Sequence, residues 1–139
     1  MRFITFPAVV LALLSQGALA AAPNMKPGMW EITMKMDIPG MPSGMPPQVV
    51  KQCLTQKDTE NPQKVTQAGE NCQVSNYQMK GNTVSWDMAC KGSQQMTGSG
   101  TMTFGGDSYT GTTRMSMKGG GQSHDMTMQY SGKRVGDCK

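Results

Sequence analysis

Apolar and polar residues alternate along much of this chain with a period of two, the pattern of strands that bury one face. The alternation is clearest from Met29 to Ile38, where apolar side chains alternate with charged or hydroxyl-bearing ones. A second strand is predicted from Gln48 to Leu54. From Cys72 to Val135 the pattern predicts four hairpin-linked strands, because glycine-containing turns interrupt it at residues 81–82, 92–93, 105–106 and 119–121.

Alternation within each strand assigns the side chains of residues 84–130 to two faces of the predicted sheet. The apolar face is expected to carry Val84, Trp86, Met88, Met96, Met102, Tyr109, Met115, Met126, Met128 and Tyr130. The other face is expected to carry polar residues, namely Ser85, Asp87, Thr97, Ser99, Thr101, Thr103, Thr112, Arg114, Thr127 and Gln129. A three-residue turn at residues 80–82, together with the later turns, predicts these neighbours on adjacent strands: Cys72 and Cys90, Val74 and Met88, Met88 and Met96, Trp86 and Gly98, Met102 and Tyr109, Met96 and Met115, Met115 and Met126, Met117 and His124.

The segments between the strands carry the remaining structural signals. Pro39 to Pro47 is too rich in proline and glycine for a helix or a central strand, so it predicts a surface loop that presents Met41 and Met45. Thr55 fits the first capping position of a helix, which Pro62 limits to little more than one turn. The chain therefore predicts an all-β fold, an antiparallel up-and-down meander that closes into a small barrel or half-barrel. The first strand is its expected closing element, and one short helix caps an end.

The N-terminal residues have the composition of a secretion signal. Arg2 precedes an apolar run from Phe3 to Leu14, and residues 18–20 form a small-x-small cleavage site, so residues 1–20 are expected to be removed after Ala20 or Ala22. The run is too short for a membrane-spanning helix, and no cysteine follows it for a lipid anchor. Residues 23–139 are expected to form a single periplasmic or secreted β domain without a transmembrane segment.

Composition limits both the core and the partners of this domain. Removing the leader leaves 14 methionines and one leucine, Leu54, so the core is expected to be built largely from methionine. Loss of Arg2 lowers Lys plus Arg from 13 to 12 against 9 acidic residues, a net charge of +3. This mild excess is spread along the chain without a basic run, so nucleic acid is not an expected partner.

Four cysteines in an exported chain predict two disulfides. The hairpin alignment favours Cys72 with Cys90, which leaves Cys53 to pair with Cys138. The alternative pairing, Cys53 with Cys72 and Cys90 with Cys138, stays open. Successive cysteines are 19, 18 and 48 positions apart, so no Cys-x-x-Cys motif suggests a zinc or redox site.

The residues that catalysis commonly uses are sparse. His124 is the single histidine, and there is no Gly-x-Ser-x-Gly motif. Ser123, His124 and Asp125 are consecutive, but on a strand Ser123 and Asp125 face one side and His124 the other, so the run cannot form a relay by itself. The sequence predicts a non-enzymatic protein with a binding role.

Methionine is the most distinctive chemical feature of the chain. Thioether sulfur is a soft ligand that suits Cu(I) and Ag(I), and Met-x-Met pairs at residues 34/36, 115/117 and 126/128 each place two sulfurs on one strand face. The predicted alignment gathers a candidate metal site from His124, Met115, Met117, Met126 and Met128. Because methionine also fills irregular apolar cores, core packing is the competing interpretation.

Three further binding roles stay open from the sequence. The mouth of a small barrel can hold a lipophilic ligand. Met25, Met41 and Met45 can buffer oxidants if they are exposed. The loop from Pro39 to Pro47, or an open sheet edge, can bind a protein partner.

Several ordered motifs resemble a bacterial family of exported proteins, the domain of unknown function 3617. They are residues 27–32 (Pro-Gly-Met-Trp-Glu-Ile), 52–55 (Gln-Cys-Leu-Thr), 81–86 (Gly-Asn-Thr-Val-Ser-Trp), Cys90, 96–100 (Met-Thr-Gly-Ser-Gly) and 130–138 (Tyr-Ser-Gly-Lys-Arg-Val-Gly-Asp-Cys). The resemblance covers essentially the whole mature chain. It implies a small exported, periplasmic protein with paired cysteines, and it implies no activity or functional residue.

Overall fold

A computed structural model describes residues 23–41, 45–66, 68–92 and 94–139. These residues form seven strands and two short helices, which follow in the order β1 (Gly28–Asp37), β2 (Gln48–Leu54), α1 (Gln56–Glu60), α2 (Pro62–Val65), β3 (Cys72–Lys80), β4 (Thr83–Cys90), β5 (Gln95–Phe104), β6 (Ser108–Gly119) and β7 (Gln122–Gly136). The predicted leader, with its cleavage site after Ala20 or Ala22, lies outside the described residues. So do residues 42–44 of the proline-rich loop and residue 93 of a predicted turn.

All seven strands form one antiparallel sheet in the order β2-β1-β7-β6-β5-β4-β3. The predicted all-β meander is confirmed, and the sheet is open, with β2 and β3 at its edges, so the fold is a half-barrel. β1 pairs with β7 and β2 pairs outside β1, so the first strand extends the sheet without closing it. The prediction of four strands after Cys72 is wrong, because the four turns divide that segment into five strands.

The register confirms the predicted pairs at the two ends of the meander, namely Cys72 with Cys90, Val74 with Met88, Met115 with Met126 and Met117 with His124. The two hairpins between them are shifted by two positions. Five residues, rather than three, separate the paired positions Cys90 and Met96, and four, rather than two, separate Phe104 and Tyr109. The pairs predicted there are therefore replaced by Met88 with Gly98, Trp86 with Gly100, Met102 with Gly111 and Met96 with Met117.

A shift of two positions keeps every side chain on its face, because the side-chain period of a strand is two. The predicted division of residues 84–130 into an apolar and a polar face is therefore confirmed. The wider β5–β6 loop closes through a hydrogen bond from the Gly105 N–H to the Ser108 carbonyl, 2.8 Å long. It also brings the rings of Phe104 and Tyr109 together, with centroids 5.8 Å apart.

The turn between β3 and β4 also differs from the prediction of three residues. Lys80 pairs directly with Thr83, so the turn has two residues, Gly81 and Asn82. A bulge between Ser75 and Gln78 compensates for the missing position, and it is the reason that Cys72 still meets Cys90.

Among the described residues, ten apolar ones form the buried core on one face of the sheet, and most of them are aromatic or branched. They are Trp30, Ile32, Leu54, Val65, Val84, Trp86, Met88, Met102, Phe104 and Tyr109. The prediction of a core built largely from methionine is wrong for this centre, which contains two methionines. Met25, Met34, Met79 and Met115 pack against it from the rim. Because this domain has a single leucine, two tryptophans and two further aromatic residues fill core volume that leucine side chains commonly occupy.

Helices α1 and α2 link the two edge strands of the sheet, and Val65 of α2 packs into the core. Two helices form where one was predicted, because Pro62 begins α2 directly after Asn61 ends α1. Among the described residues, no helix is long and apolar enough to cross a bilayer.

Thr55 caps the start of α1, as predicted, and Asp58 caps it reciprocally. The Asp58 N–H donates to the Thr55 hydroxyl (3.3 Å), and the Thr55 N–H donates to the Asp58 carboxylate (2.9 Å). The Thr55 hydroxyl also donates to the Asp58 carboxylate (2.7 Å), and the two bonds that this carboxylate accepts, from the Thr55 N–H and the Thr55 hydroxyl, lower the pKa of Asp58. The contribution of this carboxylate to stability is therefore present above its ordinary pKa and is lost as the pH falls through the lowered one.

Replacing Thr55 with alanine should lower the free energy of unfolding by about 1 kcal/mol, because the helix loses a cap that satisfies an orphan N–H. Urea denaturation of the oxidised protein measures the change. Lys57→Ala is the matched control, since Lys57 is exposed in the same helix and should leave the midpoint unchanged. Equal midpoints for Thr55→Ala and Lys57→Ala would contradict the capping role.

Two disulfides hold opposite ends of the sheet. Cys72–Cys90 joins β3 to β4, and Cys53–Cys138 joins edge strand β2 to the chain that follows β7. This is the pairing that the hairpin alignment favours, and no cysteine is left free.

Candidate functional site

The apolar face continues beyond the buried core toward the end of the sheet that holds the β6–β7 turn. Seven methionines lie there, all of them half-buried: Met34, Met36, Met96, Met115, Met117, Met126 and Met128. We call this set the methionine surface. Val65 of α2 lies instead beside Leu54 and Tyr109, toward the opposite end of the face. The methionine surface is therefore the less covered part of the apolar face.

The register makes most of these methionines direct neighbours on adjacent strands. Met36 pairs with Met128, Met126 with Met115, and Met117 with Met96, so the set spans β1, β7, β6 and β5. Directly opposed side chains on antiparallel strands have Cβ atoms about 4.5–5.5 Å apart. A methionine side chain is long and flexible enough to bring two such sulfurs together.

A small cavity of about 70 Å³ lies where the methionine surface meets the proline-rich loop. Its lining residues are Met34, Met36, Met45, Pro46, Gln48 and Met128. Three of the methionines project from β1 and β7, while Met45 comes from the loop that leads into β2. Four thioether side chains from three parts of the chain thus line one cavity, and no charged residue lines it.

The predicted metal residues divide between two places. Met115 and Met126 pair directly, and Met117 pairs with His124, which lies exposed near the β6–β7 turn. Met128 instead lines the 70 Å³ cavity on the β1 side of β7. The four residues that the alignment gathered at one end of the sheet, Met115, Met117, Met126 and His124, are neighbours in register, while Met128 lies two positions from Met126 on the same face of β7.

Sequence reasoning left Met34, Met36 and Met45 out of the candidate site. The Met-x-Met pattern of residues 34 and 36 was visible, but the pairing of β1 with β7 was not, because no hairpin turn joins those strands. Met45 lies in a loop without periodicity, so nothing in the local sequence indicates which face of the sheet it contacts.

Other ligand types are scarce in this part of the molecule. Among the described residues, no group of three or more His, Cys, Asp and Glu side chains is placed to hold a metal ion. Tyr130 lies opposite Met34, and burial raises the pKa of its phenol. The chemistry available at the methionine surface is that of neutral sulfur.

The consecutive residues Ser123, His124 and Asp125 take the alternating orientation expected for β7. The Ser123 hydroxyl bonds the Ser116 hydroxyl at 3.0 Å, and Asp125 pairs with Ser116 in register, both away from the face of His124. The three side chains make no relay.

The polar face of the described part of the chain carries three cavities, of about 520, 480 and 430 Å³. They are shallow and run together, since neighbouring cavities share Thr101 and Thr112, or Ser99 and Arg114. On the apolar side the described cavities measure about 70 and 10 Å³. Those volumes are far below the roughly 300–1,000 Å³ of typical ligand pockets, so neither accommodates a lipid-sized molecule.

The methionines that were considered for oxidant buffering differ in solvent exposure. Met41 and Met45 are 59% and 45% exposed, whereas Met25 is half-buried and bridges to Gly106. At the β2 edge, Val49 and Val50 are 58% and 41% exposed. A protein partner at this edge, or at the loop from Pro39 to Pro47, stays a prediction.

A family model described as a protein of unknown function, DUF3617, matches residues 25–138. That match spans all seven strands, both helices and all four cysteines. The chain belongs to the DUF3617 family. The methionine surface and Met45 lie within the DUF3617 segment, so the candidate site is part of this domain and not an addition to it. No curated protein and no solved structure gives a significant match.

Proposed function

We propose that this DUF3617 protein is exported, is not an enzyme, and binds a soft monovalent metal ion, Cu(I) or Ag(I), at its methionine surface. The observation that carries the proposal is the group of seven half-buried methionines on the less covered end of the apolar face. If these methionines served only as apolar filler, they would be expected inside the buried core. That core instead consists mainly of aromatic and branched residues.

The ligand chemistry supports a soft ion over a hard one. Thioether sulfur is neutral and polarizable, so it favours Cu(I) and Ag(I), while Mg(II) and Ca(II) require oxygen ligands and Zn(II) prefers thiolate, imidazole or carboxylate. The methionines are partly accessible, so an ion can reach them from solution. They are also paired in register across adjacent strands, so several sulfurs can bind one ion.

Three features support export and a non-catalytic role. Residues 1–20 have the composition of a secretion signal. Two disulfides suit an oxidising compartment such as the periplasm. His124 lies apart from Ser123 and Asp125, and no cysteine is left as a free nucleophile.

Mature, oxidised protein should bind one equivalent of Cu(I) or Ag(I) in an anaerobic competition titration against a chromogenic chelator. A tenfold excess of Zn(II) or Mg(II) should not displace the ion, because neither prefers thioether ligands. The matched control is Met25→Leu with Met79→Leu, which removes two sulfurs outside the methionine surface and should leave the affinity unchanged. Failure of the wild-type protein to bind either soft ion would overturn the proposed function.

A further inference from the structure

Resting on the proposed function, we infer that the metal site is the cavity lined by Met34, Met36, Met45 and Met128, and that His124 is not a ligand. The sequence pointed instead to the β6–β7 hairpin, where Met117 pairs with His124. The structure favours a site of four thioethers, one of them from the chain just before β2.

The first argument is the number of strands that contribute. Met36 and Met128 are directly opposed on β1 and β7, and Met34 is two positions from Met36 on the same face. Successive same-face residues on a strand are separated by about 6.6 Å. Three sulfurs therefore border one area of the sheet without any change of backbone.

The second argument is that these three residues are partly covered from the solvent side. Met45 and Pro46 complete the lining of the 70 Å³ cavity, so the ligands surround a volume. Met117 and His124 lie at the exposed end of the β6–β7 hairpin, and neither lines this cavity. A cavity of about 70 Å³ exceeds the roughly 30 Å³ that one water molecule occupies in the liquid, so a dehydrated monovalent ion fits between the side chains.

The third argument is charge and ligand type. The lining contains four thioethers, one proline and one amide, and it has no carboxylate, imidazole or thiolate. A neutral, all-thioether site stabilises a +1 soft ion and gives little stabilisation to Cu(II) or Zn(II), which prefer nitrogen, oxygen or anionic sulfur. The site is therefore expected to select the reduced form of copper.

Two sets of variants distinguish the two ends of the methionine surface. Met45→Leu removes one proposed sulfur from an exposed position (45% exposed), so the fold is expected to persist. It should weaken Cu(I) or Ag(I) binding about tenfold or more, equivalent to 1.4 kcal/mol per factor of ten. Met34→Leu with Met128→Leu should weaken it further, since leucine keeps the apolar volume but cannot coordinate. The matched control, Met117→Leu with His124→Ala, should leave the affinity within about twofold.

A second measurement does not depend on substitution. Wild-type protein labelled with ¹³C at the methionine methyl groups should show, on addition of Ag(I), large chemical-shift changes for Met34, Met36, Met45 and Met128. Met117 and Met96 should change little. If the control variant loses binding while Met45→Leu keeps it, this inference fails and the proposed function stands. If the wild-type protein binds no Ag(I) or Cu(I), both fail.

Discussion

Replacing Cys53 and Cys138 together with alanine should lower the free energy of unfolding by about 4 to 5 kcal/mol. The two cysteines are 85 positions apart, so their disulfide restricts nearly the whole unfolded domain. It also ties edge strand β2, which pairs on one side only, to the chain after β7. Loss of the bond therefore raises the conformational entropy of the unfolded chain. It also removes a restraint on one edge of the folded sheet.

The Cys72–Cys90 disulfide provides the matched comparison. Its cysteines are 18 positions apart and belong to one hairpin, so removing them should cost about 3 kcal/mol by the same loop-entropy argument. Urea denaturation of the two double variants and the wild type, with midpoint and slope fitted together, measures the difference. A larger loss for the Cys72–Cys90 variant would contradict the assignment of Cys53–Cys138 as the main covalent restraint.

Gly132→Ala should destabilise the protein by about 3 kcal/mol, at the upper end of the usual cost of overpacking a core. Tyr109 lies flat over Gly132, and an added Cβ would lie 2.1 Å from its ring atom Cε1. The ring cannot move aside freely, because its centroid is 5.5 Å from that of Trp30, a fully buried residue. The alanine methyl group would therefore displace the centre of the core.

Gly119→Ala is the matched control at the exposed end of β6. There the added Cβ would make an ordinary contact, 3.4 Å from the side chain of Gln94, so stability should stay the same or rise slightly. Thermal or urea unfolding of both variants measures the contrast. Tyr109→Leu in the Gly132→Ala background should recover part of the loss, since the smaller side chain vacates the space. Equal stability of the two glycine variants would show that the ring does not occupy this position.

Local sequence pattern was sufficient for the faces of the strands and for several elements, although it predicted four strands after Cys72 instead of five and one helix instead of two. Strand β2 begins and ends where it was predicted, and Thr55 caps α1 as expected. These features depend on residues within a few positions of one another. The Cys72–Cys90 pairing was also predicted, although the two-residue turn and the bulge between Ser75 and Gln78 set it together.

Register and sheet order required information that the local pattern lacks. The β4–β5 and β5–β6 hairpins are each wider by two positions than the glycine signals suggested, and the ring contact between Phe104 and Tyr109 accompanies the wider β5–β6 loop. The pairing of β1 with β7 joins the two ends of the domain, so no hairpin turn in the sequence indicates it. Tertiary packing decides both features.

The candidate site illustrates the same division. The three Met-x-Met pairs were recognisable because strand alternation alone places each pair on one face. Their grouping was not, since Met36 and Met128 meet only through the β1–β7 pairing, and Met45 is positioned by a loop. Consequently the sequence favoured the hairpin neighbours Met117 and His124. The cavity lies instead between β1, β7 and the loop before β2.

Copper K-edge X-ray absorption spectroscopy of the Cu(I)-loaded, oxidised protein tests the central claim most directly, because it identifies the atoms bound to the ion. The account predicts a shell made of sulfur alone, with three or four scatterers and no imidazole signal, and the same spectrum for the His124→Ala variant. A shell that contains nitrogen from imidazole, or copper that does not remain bound after desalting, would contradict the assignment of Met34, Met36, Met45 and Met128 as a soft-metal site.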